Sequence, residues 1–252
     1  MPLELSLALL FFVIAFLYSS VGFGGGSSYL ALLSLFFSNY YEIRSMALVL
    51  NVTVVSIGTA VYIKNRVFDW KSFWPFLLAS IPLAYLGAQL RLSQRTFFII
   101  LGTLLLLSGF FLLAKYLRSP KKERTMNLVQ RIGLGGIIGF FAGLSGIGGG
   151  IYLSPALNML GWKDTRKVAS LASFFILVNS MAGLLGLMMA GTFQLPFELL
   201  LALVVAVGLG GLLGSFLSNK KLRLNGIGIL TAMLVIYVGL RILLLHLWGI
   251  YI

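Results

Sequence analysis

The sequence predicts an all-α polytopic membrane protein of two inverted-topology repeats, each with a glycine-broken or re-entrant first segment. Three observations predict it. Of 252 residues, 60% are hydrophobic and 10% charged, with a mean hydropathy of +1.03, a balance that a water-facing globular surface does not sustain. The apolar residues fall into long blocks that recur in two sets. A glycine cluster interrupts the first block of each set: Gly22 to Gly26 (GFGGG) and Gly146 to Gly150 (GIGGG), 124 positions apart.

In order, the blocks cover Leu3 to Phe37, Ile43 to Ile63, Phe73 to Leu90 and Phe97 to Leu117, then Ile132 to Leu160, Val168 to Ala190, Phe197 to Leu217 and Ile227 to Gly249. Most approach the roughly 20 residues a spanning helix needs. They are too many and too evenly spread for one cleaved signal peptide. The chain divides into a first membrane repeat at 1–118, a cytoplasmic linker at 119–131 and a second repeat at 132–252. The first block of each repeat is longer than the rest and reads as a bent helix or two shorter pieces.

Charge selects among the topologies, because Lys and Arg in short loops concentrate on the cytoplasmic side. If each broken block returns to the side it entered, 15 of the 19 basic residues fall in cytoplasmic loops, and Arg44, Arg91, Arg95 and Arg241 fall outside. A single crossing per block nearly removes the bias. Each half then makes an odd number of crossings, the halves are inverted, and both termini lie outside. The count is ten crossings if both pieces of each broken block span, or six spans plus two re-entrant hairpins if neither does.

The repeat extends beyond glycine. GFGGGSSYLALLSLF from Gly22 parallels GIGGGIYLSPALNML from Gly146, and an acidic-x-Arg pair follows each, Glu42/Arg44 and Asp164/Arg166, at a spacing of 122. Consecutive glycines cost a helix more than one packing notch requires. They fit broken ends whose free N–H groups and dipole attract an anion in a protein-lined cavity. The expected substrate site comprises Gly24, Gly25, Gly26, Ser27, Ser28, Gly148, Gly149, Gly150 and Tyr152, with Asn51 and Asn179 from the following helices. Gly22, Gly146 and Pro155 are the expected structural hinges. Scattered glycines such as Gly102, Gly109, Gly133, Gly183, Gly208, Gly210 and Gly211 read as helix-packing notches.

Other chemistry finds little support. There is no cysteine and one histidine, His246, so no thiolate or His cluster offers a metal site, and no cofactor is expected. Neither glycine cluster supplies GxxxxGK[ST]. The net charge of +13 comes from juxtamembrane groups, so no nucleic-acid partner is implied. The acidic residues lie near segment ends rather than forming an intramembrane pair, and no catalytic constellation points to an enzyme. Trp70, Trp74, Trp162 and His246 are expected at the membrane interface. The partners are a small anionic substrate and membrane lipid; the coupling ion and oligomeric state, including a homo-oligomer, stay open.

Through VGFGGGSSYLALLSLF and LSGIGGGIYLSPALNMLGW, and over almost its whole length, the chain resembles the sulfite exporter TauE/SafE family. The resemblance implies a permease of a bacterial or archaeal cytoplasmic membrane for sulfite, sulfoacetate or other small sulfur-containing and organic anions. The second motif carries the family's proline at Pro155, whereas the first has Ala31 there, so the two half-sites need not share one geometry. A permease working by alternating access is the leading expectation; a small organic carboxylate transporter or an anion channel is the alternative.

Overall fold

A computed structural model describes residues 3–34, 36–37, 39–117, 125–219 and 225–249. Among these, the chain forms ten helices and no strand: α1 (Leu3–Ser20), α2 (Gly26–Leu33), α3 (Tyr40–Lys64), α4 (Trp70–Gln89), α5 (Gln94–Leu117), α6 (Leu128–Ser145), α7 (Gly150–Leu160), α8 (Thr165–Met189), α9 (Phe197–Asn219) and α10 (Asn225–Trp248). Six of them, α3, α5, α6, α8, α9 and α10, are long and apolar enough to cross a membrane.

Local chemistry sets the helix starts. Asn39 accepts a bond from the Tyr41 N–H at the start of α3, Asp69 from Ser72 at α4, and Asp164 from Arg166 and Lys167 at α8. Asn127 and Gln130 form a reciprocal capping box at α6, satisfying donors that have no partner within the helix. The α6 helix therefore begins inside the linker expected at 119–131. The basic groups at 118–124 and 220–224 lie outside the described residues.

Each broken block is two helices, as expected, but the two pieces are unequal. Each has a long first piece of 18 residues, α1 or α6, and a short second piece, α2 of 8 residues or α7 of 11. At 1.5 Å per residue the short pieces reach only about 12 and 17 Å, well under the ~30 Å hydrocarbon core. Ten full crossings are thereby excluded, yet the first pieces are nearly of spanning length.

The interior is organised around α3 and α8, whose apolar stretches are each 61% buried, against 39–44% for the other four candidate spans. These two helices run in opposite directions, since Gly58 meets Ser173 whereas Gly183 meets Leu48. The α5–α10 pair is also antiparallel, with Gly102 on Leu243 and Gly109 on Ile236. By contrast, α4 and α6 run in the same direction: Gly135, Gly139 and Gly143 lie in turn against the backbone of Phe76, Ser80 and Ala84. The α1–α9 pair does likewise, Gly210 and Gly214 resting on Phe12 and Phe16. Exchanging α1–α5 with α6–α10 turns the α1–α9 pairing into α6–α4, α3–α9 into α8–α4 and α2–α10 into α7–α5.

Contacts also sort the loops onto two faces. Lys163 pairs with Asp69 at 3.3 Å, joining the α7–α8 and α3–α4 loops. At the opposite face Asn39 donates to Gln194 at 2.5 Å, Arg91 to the Ala190 carbonyl at 2.6 Å and the Tyr40 hydroxyl to the Leu92 carbonyl at 2.7 Å. Trp70 and Trp74 are exposed, but Trp162, expected at the interface, is 5% exposed and packs its ring against Phe73 and Phe76. His246 stacks on Phe98 with ring centroids 4.3 Å apart.

Candidate functional site

The first break is made by glycines that no other residue replaces without strain. Beyond α1, Gly22 has φ 88° and Gly25, the N-cap of α2, has φ 93°. A Cβ on Gly25 would also lie 2.7 Å from the Tyr29 ring. No side chain caps α2. Its first backbone bonds run from Ser28 and Tyr29 to the Gly25 carbonyl, so the N–H groups of Gly26 and Ser27 precede the helical ladder. The Tyr18 hydroxyl bonds Ser27 and Ser28 at 3.1 and 2.8 Å, tying the end of α1 to the start of α2.

The second break repeats this construction. Gly146 ends α6 at φ 74°, Gly148 has φ 81°, and Gly149, at φ 86°, is the N-cap of α7 with no side-chain cap. Tyr152 and Leu153 bond back to the Gly149 carbonyl, which leaves the N–H groups of Gly150 and Ile151 before the ladder. The Tyr152 hydroxyl reaches Ser145 at 3.4 Å. Pro155 lies within α7 rather than at the break; the left-handed conformations that bend the chain belong to Gly146, Gly148 and Gly149.

Both breaks rest on the middle of α3 and α8. Gly24 and Gly26 lie against Asn51, and Gly148 and Gly150 against Ile176, with Ser180 also facing Gly148. Asn51 Nδ2 crosses to the second break and donates to the Ile147 carbonyl at 2.9 Å. The structure thus brings together ten expected residues: Gly24, Gly25, Gly26, Ser27, Ser28, Asn51, Gly148, Gly149, Gly150 and Tyr152. Asn179 is buried one residue from Ser180, with its Oδ1 unpartnered. Its Nδ2 bonds the Phe175 carbonyl of its own helix at 2.8 Å, and its neighbours Ile176 and Ser180 on α8 meet Gly148.

This register corrects the repeat read from the acidic-x-Arg pairs. Gly22 faces Ala169 as Gly146 faces Arg44, so Arg44 corresponds to Ala169, not Arg166, and Asn51 to Ile176. The two half-sites are unlike because α3 carries two polar groups where α8 carries apolar ones.

Arg44 is the residue that sequence reasoning missed. It is 2% exposed, donates from Nη2 to the Gly143 carbonyl near the end of α6, and lies over the Phe97 ring at 5.9 Å. Counted among outer-side charges, it nonetheless stands inside the apolar block Ile43 to Ile63, and a charge within a spanning segment was the available signal. Several buried polar atoms here have no partner: Arg44 Nε, Asn51 Oδ1, Ser180 Oγ and the Tyr29 hydroxyl.

Two cavities abut the short helices. One of about 250 Å³, between α1, α2 and α10, reaches Ser28 and is lined also by Tyr237, Arg241 and His246. The other, about 230 Å³ between α5, α6 and α7, reaches Tyr152 and has Ser108 and Phe111 on α5.

Residues 7–242 match the family described as Sulfite exporter TauE/SafE. A probable membrane transporter protein of Sinorhizobium fredii is 31% identical over 243 residues, 95% of this chain and 98% of that relative. Proteins of the same description match in Methanocaldococcus jannaschii, at 28% identity over 84% of this chain and 87% of the relative, and in Bacillus subtilis, at 25% over 74% of each. No solved structure matches the chain.

Proposed function

The chain belongs to the sulfite exporter TauE/SafE family of membrane transporters, and on that premise we propose that it carries a small anion, sulfite, a sulfonate or another sulfur-containing anion, by alternating access across a prokaryotic cytoplasmic membrane. One observation carries this reading: two uncapped half-helix starts, α2 and α7, rest on the crossing of α3 and α8. Free N–H groups and the positive helix end favour an anion. Buried within protein, they take the place of its hydration shell. No bond forms or breaks during such transport.

The helix directions support inverted repeats. With the chain reversing through the short α3–α4 and α8–α9 loops, the antiparallel α3–α8 and α5–α10 pairs and the parallel α1–α9 and α4–α6 pairs assign opposite directions to α1 and α6, α3 and α8, α4 and α9, and α5 and α10. Two like bundles of opposite orientation exchange inward- and outward-facing roles around one site. The face holding Lys64, Arg66, Lys71, Lys163 and Lys167 is the cytoplasmic one on this reading, and both termini are outside.

Flux into proteoliposomes of labelled sulfite and sulfonates, beside a carboxylate panel and empty liposomes, tests the proposal. Saturable sulfur-anion flux with counterflow is the expected result. Flux confined to carboxylates overturns the substrate, and sustained conductance overturns alternating access in favour of a channel. Gly25→Leu and Gly149→Leu are expected to lower flux at least tenfold at matched folded amount, whereas Gly133→Leu, which meets nothing within 4 Å, leaves it within twofold. Gly109, a packing notch by sequence, is no neutral control, because its Cβ would lie 2.5 Å from Ile236.

A further inference from the structure

A guanidinium removed from water inside an apolar bundle is destabilising unless a counter-charge and hydrogen bonds meet it. Arg44 is 2% exposed; it donates to the Gly143 carbonyl and lies over the face of Phe97. The ion pairs among the described residues are Lys163 with Asp69 and Lys167 with Asp164; no carboxylate pairs with Arg44. One edge of the cation therefore caps a helix, while the Nε–H has no acceptor.

Position narrows what that acceptor is. Gly146 opens the second break, and its Cβ, were there one, would lie 2.7 Å from Arg44 Cγ and 3.5 Å from Nε. The lack of a side chain at Gly146 lets the arginine lie against the turn that leads to the uncapped start of α7. Asn51, two helical turns further along α3, reaches the same turn at Ile147. The corresponding residues of α8, Ala169 and Ile176, bring no polar side chain to the first break.

We propose that Arg44 is the cationic residue of the substrate site, binding an oxyanion edge of a singly charged anion at the second glycine break. This assignment rests on the anion-permease reading above and adds to it both a residue and a valence. Arg44 supplies the one full positive charge beside the partial charge of the α7 start, while the cost of taking an anion out of water rises with the square of its charge, so a monoanion is favoured over a dianion. Sulfonate, bisulfite and carboxylate share the required chemistry, two or more oxygens presented to a planar donor. The site is asymmetric: the anion binds closer to α6 and α7 than to α1 and α2.

The test is anion-dependent thermal stabilisation of the full chain purified in detergent, with methanesulfonate, acetate and sulfate as probes, for the wild type, Arg44→Lys and Arg44→Gln. Lysine keeps one charge and a donor for the Gly143 carbonyl but loses the Nε–H edge. In the wild type, methanesulfonate or acetate is expected to bind saturably and sulfate at least about tenfold more weakly. Arg44→Lys is expected to raise the half-saturating concentration about tenfold, and Arg44→Gln to abolish the shift. Where Arg44→Gln yields no folded protein, Arg44→Lys decides alone.

A folded Arg44 variant that binds within twofold of the wild type reduces Arg44 to a helix cap and overturns the assignment, leaving the permease reading intact. A wild type preferring sulfate overturns the valence. A wild type stabilised by no anion overturns both the assignment and the reading beneath it.

Discussion

Arg44, Arg91 and Arg95, three of the four basic residues left outside by the charge count, each donate to a carbonyl at the end of a helix in the second half: Gly143 of α6, Ala190 after α8 and His246 of α10. Helix C-termini hold unpaired carbonyls and partial negative charge, so an arginine there is stabilising whichever side it occupies. Gly146→Ala joins a φ of 74° to a Cβ that collides with Arg44, and it is expected to cost at least about 1–2 kcal/mol from the left-handed conformation alone. Gly133→Ala, an open helical position, is expected to gain up to ~1 kcal/mol. Chemical or thermal unfolding in detergent compares the two. Asp69 makes a separate acid-linked contribution. Ser72 Oγ, with further help from the Ser72 N–H and Lys163, holds its carboxyl below the usual value. Because the folded pKa is depressed, this stabilisation is present above the ordinary carboxylate pKa and lost as pH falls through the folded one. Asp69→Ala is expected to cost about 1 kcal/mol as a lost N-cap, with the half-exposed Lys163 pair adding little. The gap from wild type should narrow on acidification in a pH series of unfolding curves.

At the scale of elements, helix existence was legible and helix contact was not. Long apolar blocks announced α3, α5, α8, α9 and α10, and the glycine clusters marked where two blocks break. Which glycines sit between helices is a matter of facing surfaces that composition does not carry. Gly133 read as a packing notch yet meets nothing within 4 Å, whereas Gly139 lies 2.5 Å, measured from an added Cβ, from the Ser80 backbone. Small residues let membrane helices approach closely, so Gly139→Leu should separate α4 from α6 and abolish monodisperse protein on size exclusion. Gly133→Leu should not. The 122-residue spacing of the acidic-x-Arg pairs misled for a related reason: Asn39 and Asp164 both cap their helices, and it is these caps, not the arginines, that stand in corresponding places.

Across the whole molecule, the α3–α4 and α7–α8 loops share one face, and the α4–α5 and α8–α9 loops the other. The chain contains no cysteine, so single-cysteine labelling has no background. Asn65→Cys and Lys163→Cys are expected to react from the cytoplasmic side with an impermeant maleimide, and Ser93→Cys and Gln194→Cys from the outside. Labelling of Asn65→Cys and Ser93→Cys from one side would overturn the sorting of the loops, and labelling from the exchanged sides would overturn the orientation.

Hydropathy, block length and backbone freedom are local properties, and they were enough to read a helical membrane chain whose two glycine clusters each end one helix and start another. The two glycine breaks themselves were legible for the same reason: a run of glycines in an apolar block has few uses. What composition did not carry is that α2 and α7 stop short of spanning, that Ile176 packs against Gly148 and Gly150, and that Arg44 is buried beside Gly146. Those outcomes depend on how α3 and α8 cross, and helix register is settled by side chains meeting across the interface, not by either helix alone.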